Sequence, residues 1–340
     1  MSKYRSAPTL DDVAKAAGVS TATVSRCLNT PQQVVEATRE RVLSAVDSLG
    51  YTPNFAARVM AAKRSFTIGA IIPTMENAIF ARGLQAFQEE IRKQGFTLLV
   101  SSSAYQPEAE EDQIRTLVAR GADGLLLIGH DREARIYDYL DRQKVPTLVA
   151  WSYLPDKPIP SVGFDNRKAM KALANQVIGL GHTRLATISG ISKGNDRARL
   201  RIQGIRDAMT EHGLPQDGLT VSETSYEIEN GAEVFENLML RDPPPTAVLC
   251  GNDVLAVGAV RQAQQMGLRV PEDVSITGFD DIELARIVSP ALTTVHVPHR
   301  EMGRKAAQEL IHMIETSSEG HSIELSTNVV TRDSLLESNR

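Results

Sequence analysis

Thr9-Leu10-Asp11-Asp12-Val13-Ala14-Lys15-Ala16-Ala17-Gly18-Val19-Ser20-Thr21-Ala22-Thr23-Val24-Ser25-Arg26-Cys27-Leu28 spells out two short helices and the turn between them. Thr9 suits an N-cap, and Asp11 and Asp12 fall in the positive first turn of the helix it opens. Leu10, Val13, Ala14 and Ala17 share one face by the i, i+3, i+4, i+7 rule. Gly18 stops that helix, and Ser20 caps the next. Val24, Cys27 and Leu28 give the second helix an inward stripe, leaving Thr21, Ala22, Ser25 and Arg26 outside. The pattern fits a helix-turn-helix and equally an ordinary helical hairpin.

Downstream, Val35 to Leu49 reads as a third helix with Thr38, Val42, Ala45, Val46 and Leu49 turned inward, and Gly50 ends it. Val34-Val35 stands where a capping oxygen would be useful, and valine has none. Pro53 biases Thr52 away from helix. The alanine-rich stretch from Asn54 to Arg64 favours helix but is too short to hold one alone in water.

Beyond it the chain alternates short apolar runs with amphipathic segments. Expected strands are 66–73, 96–101, 124–128, 146–150, 185–189, 219–222, 247–250 and 275–278, with helices between, among them 80–94 and 108–120. Such alternation means parallel sheets covered on both faces, here in two successive series. The 340 residues carry a net charge of −5, unevenly spread. Residues 1–64 hold nine Lys/Arg against five Asp/Glu, so a basic head precedes an acidic body. No run of apolar residues suits a membrane span, and Met1 to Leu10 lacks a signal core, which points to the cytoplasm. Cys27 and Cys250 are too few for a disulfide framework and have no metal-ligand neighbours. Phosphate loops and GxSxG or HExxH motifs are absent, so neither a nucleotide cofactor nor a catalytic centre has motif support. His130 and His182 suit surface or core positions better than a catalytic base.

The stretches Leu10–Ala14, Ala17–Ser20, Thr23–Arg26 and Leu28-Asn29 closely resemble the headpiece of the LacI/GalR family of bacterial transcription regulators. Gly50–Asn54 with Ala57-Arg58 resembles its hinge. Gly121–Gly124, Val162–Asn166, Arg201–Gly204, Asn252–Ala256, Val270–Ser275, Gly278–Asp281 and Pro290–Thr294 resemble its later signatures. The resemblance implies a headpiece over 1–53, a hinge helix or linker over 54–64, and a two-lobed body over 65–340 like a periplasmic binding protein. It divides the body into a lobe of about 65–163 and 294–325 and another of about 164–293 and 326–340.

It also implies a homodimer on a palindromic double-stranded operator. The DNA contacts expected are Thr9, Ser20, Thr21, Ala22, Thr23, Ser25, Arg26 and Asn29 in the head, and Asn54, Ala57, Arg58 and Met60 in the hinge. Met60 stands where a leucine usually wedges into the minor groove. In the cleft, matching positions nominate Phe80, Arg201, Tyr226, Asn252 and Asp280 for a small polar effector, with His130, Trp151 and Asp165 as further candidates. Trp151 is equally suited to packing between lobes. The Thr74–Phe80 and Tyr105–Glu108 stretches look somewhat like gluconate-type repressors, which favours a sugar acid or sugar over a nucleobase and leaves neutral sugar, sugar acid and nucleoside open. The competing reading is a cytoplasmic sugar carrier or enzyme that keeps a vestigial head.

Overall fold

Capping decides the first helices. In the computed structural model, which describes residues 7–52, 59, 64–76 and 78–338, α1 spans Leu10–Ala17 and α2 spans Thr21–Asn29. The Thr9 hydroxyl accepts from the Asp12 N–H at 3.3 Å, while the Asp12 carboxylate accepts from the Thr9 N–H at 2.9 Å. Gly18 takes a left-handed φ of 64°, and its N–H closes α1 on the carbonyls of Ala14 and Lys15. Ser20 caps α2 by accepting from the Thr23 N–H at 3.2 Å. A 3₁₀ turn at Pro31–Gln33 leads to α3, Glu36–Leu49. Val35 is its N-cap, makes no side-chain cap bond and is 76% exposed. Val13, Ala14, Ala17, Val24, Cys27, Val42 and Ala45 form the core, joined by Tyr51. Leu49, expected inward, is instead 37% exposed, and Tyr51 fills the inward place just past Gly50.

The chain divides into two compact units, Met1–Ser65 and Phe66–Arg340. The hinge contacts Asn54, Ala57, Arg58 and Met60 lie outside the described residues.

The second unit is an α/β body of two lobes. Its first sheet has six parallel strands, β1 Thr67–Ile72, β2 Thr97–Ser102, β3 Gly124–Ile128, β4 Thr147–Ala150, β5 Ser161–Gly163 and β11 Ile323–Glu324, in the order β11-β5-β4-β3-β1-β2. Strand β1 is buried along its whole length, because helices cover both faces. The second sheet has four parallel strands, β6 Leu185–Gly190, β7 Thr220–Thr224, β8 Ala247–Cys250 and β9 Ser275–Thr277, in the order β7-β6-β8-β9. A separate antiparallel pair, β10 Thr294–His296 with β12 Asn328–Val330, carries the returning chain. Strands β5 and β11 escaped the apolar-run reading because they span three and two residues.

Helix contacts set the spacing of these layers. In the first lobe, α4 Ala78–Lys93 packs against α12 His299–Thr316 so closely that a β-carbon on Gly303 would stand 1.9 Å from the Gly83 carbonyl oxygen. Among the described residues no helix is long and apolar enough to cross a membrane.

Candidate functional site

Parallel strands deliver side chains at their C-terminal ends, and a crevice between two such sheets is where α/β folds place ligands. Here those ends converge on a narrow pocket with a cavity volume of about 20 Å³. Trp151 directly follows β4, Tyr105 closes the loop after β2, and Asp280 follows β9. All three adopt positive φ, 61°, 58° and 104° respectively, a costly region for residues with a β-carbon. That strain clusters at the pocket wall.

Space for the aromatic rings comes from missing β-carbons. A side chain on Gly83 would meet the Trp151 ring at 2.4 Å, and one on Gly190 would meet Tyr226 at 2.1 Å. Phe80 and Trp151 then pack edge to face at 5.4 Å, and Tyr105 from the first lobe faces Tyr226 from the second at 6.0 Å.

The polar groups are few and unevenly satisfied. Arg201, on α8 Asp196–Glu211, donates to Asn166 Oδ1 at 2.9 Å and to the Gly251 carbonyl at 2.5 Å, with its guanidinium 3.8 Å above the Phe279 ring. Its remaining nitrogen is 3.8 Å from Asp280. Asp280 is 1% exposed, and neither carboxylate oxygen has a hydrogen-bond partner. Burial pushes its carboxyl up to about 7 against the pull of Arg201. Trp151 Nε1 is likewise buried without an acceptor. His299 stacks on Trp151, lies 3.9 Å from Asp280 and is driven down to about 3 by burial, so it is neutral. Unpaired acceptors and a donor against aromatic walls suit a ligand with hydroxyls on an apolar ring face.

Phe80, Trp151, Arg201, Tyr226, Asn252 and Asp280 all line this pocket. Asn252 also caps α10, Asp253–Gln265, through the Leu255 N–H at 2.9 Å. Two expected residues do not line it. Asp165 is the N-cap of α7, Asn166–Gly179, and accepts from the Lys168 N–H at 3.0 Å. The cap draws its carboxylate to the helix start rather than into the cleft. His130 is buried with neither ring nitrogen bonded, and burial lowers it to about 4. It contributes its backbone instead: its N–H donates to Asp196 at 2.9 Å, and its carbonyl accepts from the Tyr137 hydroxyl at 2.6 Å.

Residues the sequence reading missed include Tyr105, Asn195 and Arg197, all on the pocket wall. Arg197 precedes Arg201 by one helical turn, an i, i+4 spacing that places both on one face. Asp196 beside it ties the lobes together, accepting from His130 N–H and, at 3.0 Å, from Ser152 Oγ. Burial opposes its charge, yet Arg197 and those donors hold its carboxyl below the ordinary value. Arg199 and Asp131 add a bidentate pair across the cleft at 2.7 and 2.8 Å.

On the head, Thr21, Ala22, Arg26 and Asn29 are exposed along α2. Asn29 donates to Ser25 Oγ at 3.2 Å, and the hydroxyls of Thr9, Ser20 and Thr23 serve the caps.

A capped helix-turn-helix followed by a two-lobed α/β body with a polar-aromatic cleft defines a DNA-binding regulator with an effector domain. Residues 9–54 match the lacI family of bacterial regulatory proteins, and residues 174–335 match a periplasmic binding protein-like domain. The HTH-type transcriptional repressor PurR of Vibrio parahaemolyticus is 34% identical over 333 residues, 97% of this chain and 99% of the relative. The chain belongs to the LacI family of transcriptional regulators. A LacI-family regulator from Silicibacter pomeroyi superposes with a TM-score of 0.88 at 26% identity, covering 97% of this chain and 99% of that one. The lac repressor dimer bound to operator and the anti-inducer ONPF superposes with a TM-score of 0.85 at 28% identity, with the same coverage. The relatives it matches are transcriptional repressors rather than enzymes.

Proposed function

We propose that the chain is a cytoplasmic, homodimeric repressor that reads a palindromic operator and is controlled by a sugar or sugar acid held between Trp151 and Asp280. The observation that carries the effector reading is the pair of unpartnered Asp280 oxygens, buried beside an unpartnered Trp151 Nε1 and four aromatic rings. In water these groups would be hydrogen-bonded, so a hydroxyl-bearing ligand recovers what burial costs. The dimer is supported by the lac repressor structure, which is a dimer on operator. Two-fold pairing also matches the small footprint of one head. In this reading α2 lies in the major groove with Thr21, Ala22 and Arg26 at base edges. Phosphates are met by Thr9, Ser20, Thr23, Ser25 and Asn29, and the hinge residues Asn54, Ala57, Arg58 and Met60 enter the minor groove. The body, residues 65–340, holds effector and partner, its lobes divided near 163, 293 and 325.

A thermal-shift screen of the full chain against sugars, sugar acids and nucleosides tests the effector, because a ligand raises the melting temperature by mass action. A sugar or sugar acid is expected to stabilise the chain, and Asp280→Asn to abolish the shift. Stabilisation by nucleosides alone overturns the ligand class. Quantitative gel-shift tests the hinge: Met60→Ala is expected to weaken operator binding, and Met60→Leu to keep it.

A further inference from the structure

Three consecutive residues of the first lobe meet the opening turn of α8 from the second. Gly129, His130 and Asp131 directly follow β3, and Asp196, Arg197 and Arg199 stand on α8. Gly129 has a φ of 69° and no β-carbon, and one there would overlap the Asp196 carboxylate and the Arg197 guanidinium. The notch left by that missing carbon seats the helix against the strand end.

Asp196 is the centre of the contact. One of its oxygens accepts from the His130 N–H at 2.9 Å and from Ser152 Oγ at 3.0 Å, so it joins the loops after β3 and β4. Its other oxygen accepts from Arg197 at 2.9 Å. The carboxylate is 3% exposed, and a buried charge loses heavily when a partner is withdrawn. At the rim, Asp131 receives two guanidinium nitrogens of Arg199, a bidentate geometry stronger than a single-point ion pair. Arg82 and Glu283 add a second, more exposed pair between the lobes.

The spaces enclosed by these contacts are small. The pocket between Trp151 and Asp280 and its neighbour beyond Tyr105 and Arg197 have cavity volumes of about 20 and 30 Å³, room for about one water molecule each. A ligand the size of a sugar ring enters only when the lobes part.

We infer that Asp196 in its Gly129 notch, with the Asp131–Arg199 pair at the rim, is a latch by which the chain closes its own cleft, and that an effector is admitted only through the unlatched form. The chain's own carboxylate thereby takes up the strand-end donors, His130 N–H and Ser152 Oγ, that an α/β cleft offers to a ligand. Apparent effector affinity is then reduced by the fraction of chains that are unlatched. This rests on the cleft being the effector site, whatever the class of ligand.

Hydrogen exchange and fluorescence of the full chain, with no ligand added, test it. The His130 N–H bonds across the cleft to Asp196, and Arg199 does not bond to it. Arg199→Ala is expected to speed exchange of the His130 amide about three- to fivefold. Asp131→Ala is expected to do the same, and the double variant to exchange no faster than either single one, because both remove the same pair. The amides of Leu126 in β3 and Val248 in β8 are expected to keep their rates, which separates parting of the lobes from loss of the fold. Trp151, the chain's one tryptophan, is 1% exposed beside Ser152. Asp196→Asn keeps the side-chain shape without the charge, and is expected to raise acrylamide quenching of Trp151. His130 exchange unmoved by Arg199→Ala, single-variant effects that multiply in the double variant, or Trp151 quenching unmoved by Asp196→Asn overturns the latch and leaves the sugar reading intact. Equal acceleration at Leu126 and Val248 also overturns it, since the contacts would then hold the whole body rather than the cleft. A body that binds no sugar overturns the sugar reading alone.

Discussion

The head and the cleft are held together over different distances along the chain. In the head, the bonds that begin helices join Thr9 to Asp12 and Ser20 to Thr23, three residues apart. In the cleft, Asp196 meets His130 across 66 residues and Ser152 across 44, while Arg201 reaches Gly251 across 50. The head is therefore specified by short words in the sequence. The cleft exists only once two sheets have been assembled, and it stores positive-φ backbone at Tyr105, Trp151 and Asp280 that no local signal announces.

The contrast breaks most visibly where the body is overfilled. Gly303→Ala would drive a β-carbon into the Gly83 carbonyl, with backbone on both sides and little room to yield. The expected loss is about 3 kcal/mol in denaturant unfolding, since overpacking a tight core costs about 1–3 kcal/mol and occasionally more. An unchanged midpoint would mean that α4 and α12 slide apart cheaply.

The next effect is electrostatic. Because burial holds Asp280 up to about 7, the folded chain retains a proton that the unfolded chain releases near 3.8. Stability contributed by that protonated group falls as pH rises from about 4 to about 7. Buried neutral His299 and His130 act in the opposite sense, adding stability as pH rises toward 6.5. Asp280→Asn removes the first contribution and also relieves Asp253, whose carboxyl is pushed up to about 8 by burial and the Asp280 charge, so both changes act in the same sense. Its melting temperature relative to the unsubstituted chain is therefore expected to climb between pH 4 and pH 7, as calorimetry across that range would register. A flat difference would place an ordinary carboxylate at Asp280.

In the head the expected effects are smaller and local. Arg26→Ala should cost about 1–3 kcal/mol at one base position, because the guanidinium fork pairs with a single guanine edge. Binding measured on operators altered base by base would show this, whereas uniform weakening on all of them would make Arg26 a phosphate contact. The smallest change is a gain. Val35→Ser supplies the oxygen that the exposed Val35 lacks at the start of α3, and should stabilise the head by about 0.5–2 kcal/mol in thermal melts. No gain would mean that solvent already satisfies those N–H groups.

Much of the fold was legible. Apolar runs foretold eight of the strands: six are buried along their whole length and read as continuous hydrophobic words, as Thr67–Ile72 does, while the edge strands Thr97–Ser102 and Thr220–Thr224 are part-exposed. Strands β5, β10, β11 and β12 were not, since each is only two or three residues long and none was read as an apolar run. Of the cleft, the resemblance brought Phe80, Trp151, Arg201, Tyr226, Asn252 and Asp280 to one pocket. It misplaced Asp165, whose carboxylate is captured by the helix it precedes, and His130, whose backbone rather than ring meets the other lobe. Tyr105 entered only as the start of the Tyr105–Glu108 stretch and was not nominated for the cleft, although it follows a strand end.

Sequence alone determined the capped helices of the head and the parallel α/β layers, because caps, stripes and buried runs are interactions within about four residues or repeats of one period, and the family resemblance of those residues made the head a helix-turn-helix. It also determined the basic head and the acidic body. Only the tertiary structure decided which polar groups stay unpaired in the cleft. Asp280 is orphaned because the Arg201 guanidinium is spent on Asn166 and Gly251, and Arg197 is spent on Asp196. Pairing of that kind is settled by which strands lie side by side, and it depends on distances in space that no spacing along the chain encodes.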